Sequence, residues 1–285
     1  MRVVESVGEL RRVRHELRSP VGFVPTMGFL HGGHLALVHR ARSEQTTVVA
    51  SIFVNPTQFA PHEDLASYPR DLQRDLELLE QAGADVAWTP SVEDMYLPDH
   101  DTWVVVDRLT HRLEGASRPT HFRGVATIVA KLFHLVQPAV AYFGQKDAQQ
   151  ALVVDRLVRD LHLPISLCVV PTVREADGLA MSSRNTYLSP AERAAAPVLR
   201  RSLDAAERQW QGGERSAEAL RAAMREVLAS EPAAEVEYVS VADVRTLEEL
   251  DRVGEKALVS LAVRLGHTRL IDNTLLPPGT PLLER

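Results

Sequence analysis

The sequence predicts an α/β fold, a parallel sheet with helices on both faces, followed by a smaller C-terminal α+β domain. Up to about residue 171, short apolar segments of strand length alternate with helical segments, as in sheets whose strands are buried on both faces. After about residue 175 the chain becomes rich in Ala, Glu and Arg, and it then carries a candidate hairpin. We therefore expect two domains, residues 1–175 and 176–285.

The elements of the first domain follow from hydrophobic spacing and β-branched runs. Ser6 and Glu9 suggest a capping box at the first helix, and Leu72, Leu76 and Leu79 should face inward from a later one. The predicted helices span residues 6–18, 34–44, 70–82, 124–136 and 147–161. The predicted strands span residues 21–26, 46–54, 85–88, 103–106, 139–143 and 165–171. This alternation describes a Rossmann-like sheet.

The second domain is predicted to be smaller and mixed. Residues 190–229 should form two helices that separate at residues 211–214, where two glycines stand together. Strands are expected at residues 235–241, 256–265 and 268–272. The last two should form a hairpin that turns at Gly266-His267. We expect this domain to act as a lid over a site on the first.

Composition excludes several classes of protein. The 285 residues are 45% hydrophobic and 25% charged, which are ordinary globular values. The formal net charge of −6 argues against a protein whose main work is non-specific nucleic-acid binding. Cys168 is the single cysteine, so no internal disulfide can form, and its apolar surroundings predict an inert, buried thiol. We expect neither a membrane span nor a signal peptide, and a cytoplasmic protein.

Three polar clusters follow predicted strands of the sheet, where ligands bind in parallel α/β folds. The first is the glycine-rich turn from Gly28 to His34, which leads into a helix and so suits an anionic phosphate. The second runs from Gly144 to Asp147, and the third is Met181-Ser182-Ser183-Arg184. His31 and His34 can donate hydrogen bonds to phosphate oxygens. Neither a Walker loop nor a dinucleotide fingerprint is present.

Longer motifs narrow the interpretation to one family. They are Pro25-Thr26-Met27-Gly28, Phe53-Val54-Asn55-Pro56-Thr57-Gln58-Phe59, Tyr68-Pro69-Arg70, His121-Phe122-Arg123-Gly124-Val125, Gly144-Gln145-Lys146-Asp147 and Arg174-Glu175-Ala176-Asp177-Gly178-Leu179-Ala180-Met181-Ser182-Ser183-Arg184-Asn185. In order and spacing the chain resembles the pantoate–β-alanine ligase (pantothenate synthetase) family of the nucleotidylyltransferase superfamily. The resemblance spans nearly the whole chain, with less signature in its last hundred residues.

The resemblance implies an ATP-dependent ligase that forms pantothenate through a pantoyl adenylate, with release of AMP and pyrophosphate. It implies ATP with Mg²⁺, small-molecule substrates and a homodimer, and it implies no nucleic-acid or membrane partner. His34, Lys146 and Arg184 are the implied catalytic residues. ATP contacts are implied for Met27, Gly28, Phe29, Leu30, His31, Gly32, Gly33, His34, Gly144, Gln145, Lys146, Asp147, Val173, Met181, Ser182, Ser183 and Arg184. Substrate contacts are implied for Gln58, Gln150, Asn55 and Arg118.

Other functions of the same fold differ in their second site. A nucleotidyltransferase that acts on a phosphorylated acceptor should place extra basic residues there, whereas this chain has Gln58 and Gln150. A nucleotide-binding regulator should lack some of the catalytic residues, and all three are present. Each of these residues also has a plainer interpretation, as a turn residue, a helix cap or a solvated side chain. The role of His34, as proton donor or electrostatic stabiliser, stays open, as do the ligands of Mg²⁺.

Overall fold

The chain folds into two units, which a computed structural model describes over residues 1–61 and 63–283. One unit is Met1–Gly144 with Gln149–Val170, and the other is Gln145–Ala148 with Pro171–Arg285. The last two residues of the predicted second domain, 284 and 285, lie outside the described residues. The short segment Gln145–Ala148 therefore groups with the C-terminal part of the chain, from which it is distant in sequence.

The first unit is built on a parallel sheet, as predicted. Its strands are β1 (Arg2–Val4), β2 (Val21–Thr26), β3 (Thr47–Ile52), β4 (Val86–Trp88), β5 (Val140–Gly144) and β6 (Ser166–Val170). The six strands lie in the order β1-β4-β3-β2-β5-β6, and every neighbouring pair is parallel. Strands β2 and β3 pair along their whole length, up to Thr26 beside Ile52. The loops that follow these two strands therefore begin side by side.

Helices alternate with these strands. They are α1 (Val7–Glu16), α2 (Gly32–Glu44), α3 (Leu72–Gln81), α4 (Val92–Met95), α5 (Glu114–Ser117), α6 (His121–Val136) and α7 (Ala148–Asp160). Short 3₁₀ turns occupy Pro56–Gln58, Arg108–His111 and Gln145–Asp147. Ser6 caps α1 by accepting the N–H of Glu9 at 3.2 Å. The Glu9 carboxylate accepts the N–H of Glu5 instead of that of Ser6, so half of the predicted capping box forms.

Three expectations for the first unit were wrong. Residues 103–106 form no strand, and the Val104 N–H donates to the Thr127 hydroxyl at 3.0 Å instead of to a neighbouring strand. The structure has a strand that was not predicted, β1. It is three residues long and two of these residues are exposed, so it shows no apolar pattern. In α3, Leu72 is 47% exposed and Asp75 is 1% exposed, because this helix buries a carboxylate on the face where leucines were expected.

The second unit packs helices on an antiparallel sheet. Its elements are α8 (Pro190–Ala195), α9 (Val198–Gln211), α10 (Ala217–Ala229), β7 (Ala234–Ala242), β8 (Ala257–Leu265) and β9 (Thr268–Leu276). The sheet order is β7-β8-β9, and the predicted hairpin joins β8 to β9 through Gly266, whose φ is 56°. Where one helix was predicted before Gly212, the structure has two, because Pro197 cannot continue the turn of α8.

Candidate active site

The loop after β2 turns sharply and is held by helix α3. Gly28 and Phe29 have φ values of 83° and 47°, a region that glycine adopts freely and phenylalanine does not. The Asp75 carboxylate accepts the N–H groups of Phe29 and Leu30, one on each oxygen, at 2.7 Å. Arg74 donates to the carbonyl of Leu30 at 3.0 Å. Burial is the main cause that raises the pKa of the Asp75 carboxyl above its ordinary value.

Two imidazoles cap the helix that this loop begins. His31 is the N-cap of α2, and its Nδ1 accepts the Gly33 N–H at 3.1 Å. The Nδ1 of His34 accepts the N–H of His31 at 3.4 Å, and the two ring centroids lie 4.1 Å apart. With each Nδ1 accepting from the backbone, the neutral form of each ring carries its proton on Nε2. The helix N-terminus therefore carries two N–H donors that can serve an anion, in addition to its own dipole.

A second turn, after β3, presents Gln58. The Nε2 of Gln58 lies 2.9 Å from the Met27 sulfur, so the two predicted site residues are in contact. Asn55 is 1% exposed. Its amide donates to Gln58 Oε1 at 3.1 Å and to the Gly124 carbonyl at 3.2 Å, while its oxygen accepts from Tyr96 at 2.8 Å. Asn55 is thus placed to orient Gln58, and its predicted substrate contact stays a prediction.

Arg118 lies in an ion pair beside this turn. Its guanidinium donates to both carboxylate oxygens of Glu63, at 2.6 and 2.5 Å. His121 donates from Nδ1 to the backbone carbonyl of Gln58 at 2.9 Å, and its Nε2 lies 3.4 Å from Arg118. Burial, followed by the Arg118 charge, lowers the pKa of His121 to about 4. The imidazole is therefore neutral at pH 7, and the predicted substrate role of Arg118 stays a prediction.

The turn after β5 belongs to the second unit. It is the 3₁₀ turn Gln145–Asp147, and its Lys146 Nζ lies 3.4 Å from an oxygen of Asp147. Asn273 of β9 donates to the backbone carbonyls of Gln145 and Lys146, at 3.0 and 2.9 Å. The side chain of Asn273 thus fixes the backbone from which the Lys146 side chain extends.

The first turn of helix α7 carries two glutamines, Gln149 and Gln150. Gln150, the predicted pantoate contact, is half-buried. Its neighbour Gln149 is 5% exposed and donates to the carbonyls of Leu109 and Arg112, at 2.7 and 2.8 Å. Gln149 therefore fastens the first turn of α7, which fixes the position from which Gln150 projects.

The third predicted cluster closes a small hairpin in the second unit. Met181 N–H donates to the Val173 carbonyl at 3.0 Å, so these two predicted residues lie side by side. Ser182 accepts the Arg184 N–H at 3.3 Å and begins a 3₁₀ turn. Asn185 fastens that turn by donating to Glu175 at 2.8 Å and to the Ala180 carbonyl at 3.1 Å. The predicted ATP contacts therefore divide between the two units.

Sequence reasoning missed three residues that hold these clusters. Asp75 lies four residues before the buried Leu79, and helical spacing puts both on the same face. A carboxylate is seldom buried, so this spacing alone did not indicate a role for Asp75. Glu63 lies in a loop without periodicity. Asn273 lies in a strand predicted to end at residue 272, and a contact with residues 145 and 146 leaves no local signal.

A cavity of about 700 Å³ in the first unit lies away from these clusters. It is lined by residues at the amino ends of the strands, among them Val21, Ala139 and Ile165. It contains none of the predicted site residues. Ligands of parallel α/β sheets bind at the opposite, carboxyl ends, and so we do not assign the reaction to this cavity.

A family model described as pantoate-beta-alanine ligase matches residues 2–275. The chain belongs to the pantoate-beta-alanine ligase family. A pantothenate synthetase of Chloroflexus aggregans is 60% identical to it, over 97% of this chain and 100% of that protein. A pantothenate synthetase of Herpetosiphon aurantiacus is 57% identical, again over 97% of this chain and 100% of that protein.

Solved structures of the family agree with the fold. Pantothenate synthetase of Thermus thermophilus aligns with a TM-score of 0.93 and 53% identity, over 96% of this chain and 98% of that one. The pantoate-beta-alanine ligase of Francisella tularensis, complexed with beta-gamma ATP and beta-alanine, aligns with a TM-score of 0.82 and 33% identity, over 98% and 99%. Ligase activity, pantothenate biosynthesis and ATP binding are therefore the shared properties of this pantoate-beta-alanine ligase family and this chain.

Two further features concern membrane spans and metal sites. Within residues 1–61 and 63–283, no helix is long and apolar enough to cross a membrane. The same residues contain no group of three or more His, Cys, Asp or Glu side chains that could hold a metal ion.

Proposed function

We propose that the chain condenses pantoate with β-alanine in two steps. In the first, a carboxylate oxygen of pantoate attacks the α-phosphorus of ATP, which gives pantoyl adenylate and pyrophosphate. In the second, the amine of β-alanine attacks the acyl carbon and displaces AMP, and the amine loses a proton as the amide of pantothenate forms. The observation that carries the proposal is the pair of histidine caps at the N-terminus of α2, which presents N–H donors where a phosphate can bind.

The residue chemistry suits the first step. A pantoate carboxylate is ionised at neutral pH, so the attack needs no general base. It needs neutralisation of the negative charge on the phosphates. We assign this role to His34 and Lys146, together with Arg184. His34 acts chiefly as an electrostatic stabiliser, because its Nε2–H can donate without transferring the proton.

Pantoate recognition is assigned to the two glutamines. The amides of Gln58 and Gln150 can bond hydroxyl and carboxylate oxygens without adding charge. The Asn55 amide supports this assignment for Gln58, because it binds Gln58 Oε1 and thereby leaves the Nε2 side of the amide toward Met27. The Francisella tularensis relative, complexed with beta-gamma ATP and beta-alanine, supports the assignment of ATP and β-alanine as the co-substrates.

Magnesium is proposed to enter as part of the substrate MgATP. Mg²⁺ keeps several waters and binds through one or two carboxylates plus substrate phosphates. Asp147 is a half-exposed carboxylate at the Lys146 turn, and the described residues offer no dedicated three-ligand cluster. This donor set suits a metal that the nucleotide carries. The metal neutralises phosphate charge, and the side chains position the phosphates.

A homodimer and a cytoplasmic location remain predictions of the family resemblance. Strand β6 supports the first, since it is an edge strand whose Leu167 and Val169 are only partly buried, and edge strands can pair with another chain. Light scattering on the purified chain measures its mass directly.

The proposed reaction is tested by product analysis. Purified protein with MgATP, pantoate and β-alanine should release AMP, pyrophosphate and pantothenate in equal amounts. Omission of pantoate should abolish AMP release. AMP release that is independent of pantoate, or release of ADP, would overturn the assignment.

A further inference from the structure

Two consecutive polar residues near the middle of β9 are buried in the second unit. Asp272 is 1% exposed and Asn273 is 4% exposed, whereas strands of this kind usually bury apolar side chains. Buried polar groups need partners, and the partners of these two residues identify what they hold. Successive side chains of a strand point to opposite faces, so one dipeptide can reach two separate segments.

Asn273 holds the Lys146 turn. Its Nδ2 donates to the carbonyls of Gln145 and Lys146, at 3.0 and 2.9 Å, so both amide hydrogens have backbone acceptors on the same turn. Two bonds to consecutive peptide groups fix the position and tilt of that turn. The Lys146 side chain starts from this fixed backbone.

Asp272 holds the hairpin that leads to Ser182 and Arg184. It accepts from both terminal nitrogens of the Arg174 guanidinium, at 2.6 and 2.9 Å. One of those nitrogens also donates to the Gly178 carbonyl at 3.0 Å. A bidentate pair of this kind fixes geometry as well as charge. The Arg174 guanidinium therefore fastens the base of this hairpin to β9 and also binds the backbone of its tip at Gly178.

We propose that Asp272 and Asn273 are positioning residues for ATP, which set the Lys146 turn and the Ser182–Arg184 turn in one fixed geometry. The proposal rests on the proposed function, because it assumes that both turns contact the nucleotide. Neither residue is assigned any contact with the substrates. Misplacing a binding group by about 1 Å can cost roughly 100-fold in rate, so the two turns need a common support.

The next residue of the strand provides a matched control. Thr274 is 8% exposed, and its hydroxyl donates to Glu207 of α9 at 2.6 Å. Like the bonds of Asp272 and Asn273, this bond is partly buried, but it ties β9 to a helix and to neither turn. Thr274→Val removes it with little change in shape. This control separates the general effect of losing a partly buried hydrogen bond from the specific effect of misplacing the nucleotide-binding turns.

The first experiment is hydrogen exchange on the full chain. Asn273→Asp puts a carboxylate against two carbonyl oxygens. It should raise hydrogen exchange in residues 145–149 and leave hydrogen exchange in residues 174–185 unchanged. Asp272→Asn should do the opposite. Thr274→Val should raise exchange in α9 and change neither turn. Exchange that rises evenly across the second unit in all three variants would overturn the proposal.

The second experiment is steady-state kinetics with the same variants. Both Asn273→Asp and Asp272→Asn should lower kcat/KM for ATP about tenfold or more and leave the KM for β-alanine within about twofold. Thr274→Val should lower the melting temperature without this loss. Asn273→Ala removes the donors without adding charge, so it serves if Asn273→Asp does not fold. Unchanged kcat/KM for ATP in a folded Asn273 variant would overturn the proposal, whereas an inactive unsubstituted chain would overturn the proposed function itself.

Discussion

At the scale of single residues, the side chain of Asp75 stabilises the backbone conformation of the loop after β2. The loop passes through two left-handed conformations, at Gly28 and Phe29, and phenylalanine adopts that conformation only under external constraint. The two oxygens of Asp75 bind the N–H groups of Phe29 and Leu30. A single charged side chain on a distant helix thus sets the backbone from which the His31 and His34 caps begin.

Asp75→Asn should impair the reaction more than the fold. The amide retains one acceptor, so one of the Phe29 and Leu30 N–H groups loses its partner, at a cost of about 1–3 kcal/mol. Removal of a buried charge offsets part of this cost, because burial already disfavours the ionised form. We expect kcat/KM for ATP to fall about tenfold or more, with a change of under about 2 kcal/mol in the free energy of unfolding.

Asp71→Asn is the matched control for that variant. Asp71 is the N-cap of the same helix, and asparagine caps helices equally well. This control should change neither activity nor stability. If Asp75→Asn and Asp71→Asn gave the same activity, Asp75 would have no positioning role.

His121 should make stability depend on pH over a defined window. In the folded chain its pKa is about 4, whereas in the unfolded chain it is near its ordinary value of 6.5. Between these two values the unfolded chain binds the additional proton, so stability is lost as the pH falls from 6.5 to 4. The loss from this residue is at most about 3–4 kcal/mol.

Urea unfolding at several pH values checks this expectation. His121→Asn keeps a donor for the Gln58 carbonyl but does not titrate, so the pH dependence should be shallower in that window. His134→Asn makes the same substitution at an exposed position of the same helix and controls for the effect of the substitution itself. Equal slopes in the unsubstituted chain and His121→Asn would contradict the account.

At the scale of elements, the N-terminus of α6 supports the Pro56–Gln58 turn. A Cβ at Gly124 would lie 2.4 Å from the Thr57 carbonyl oxygen and 2.7 Å from the Gln58 nitrogen. These are backbone atoms, so the turn itself must move to admit a methyl group. The close approach explains why α6 carries a glycine where it contacts this turn.

Gly124→Ala should therefore destabilise the chain and weaken pantoate use together. We expect a loss of about 1–3 kcal/mol in the free energy of unfolding and a higher KM for pantoate, because the turn carries Gln58. Gly8→Ala in α1 is the control, since nothing lies within 4 Å of its Cβ; it should stabilise by about 0.5–1 kcal/mol. A Gly124→Ala variant with unchanged stability would refute the close contact.

The elements also show what the sequence could predict. Strongly patterned segments such as β2, β3 and β8 form close to where the apolar pattern places them, whereas β9 continues to Leu276, past its predicted end at residue 272. Burial on both faces selects the apolar pattern of β2 and β3. The apolar pattern does not indicate β1, because a three-residue strand at a sheet edge depends on pairing more than on propensity. The strand predicted at residues 103–106 does not form, because Val104 bonds to the Thr127 side chain instead of to a strand. The motif residues were predictable, whereas Asp75, Glu63 and Asn273 act through contacts between distant segments.

At the scale of the whole molecule, the net charge is negative, whereas the residues assigned to ATP include several basic side chains. The formal net charge is −6, yet the residues assigned to ATP include His31, His34, Lys146 and Arg184. Local charges set the field at a site whatever the net charge of the protein. A negative net charge is thus compatible with a site that binds a triphosphate.

Lys146→Ala should separate catalysis from folding. The Lys146 ammonium lies 3.4 Å from Asp147 in a partly exposed pair, and such pairs contribute little to stability. Its removal should change the free energy of unfolding by under about 1 kcal/mol and slow adenylation by about 100- to 1000-fold. Rapid-quench measurement of the first turnover gives the rate. A lower melting temperature with intact activity would show that Lys146 is structural.

The central claim is that an adenylate forms and pyrophosphate leaves before β-alanine reacts. Exchange of radiolabelled pyrophosphate into ATP, measured without β-alanine, tests it most directly. The account predicts exchange that requires pantoate and that is lost in Lys146→Ala. Absence of pantoate-dependent exchange in a preparation that makes pantothenate would contradict it.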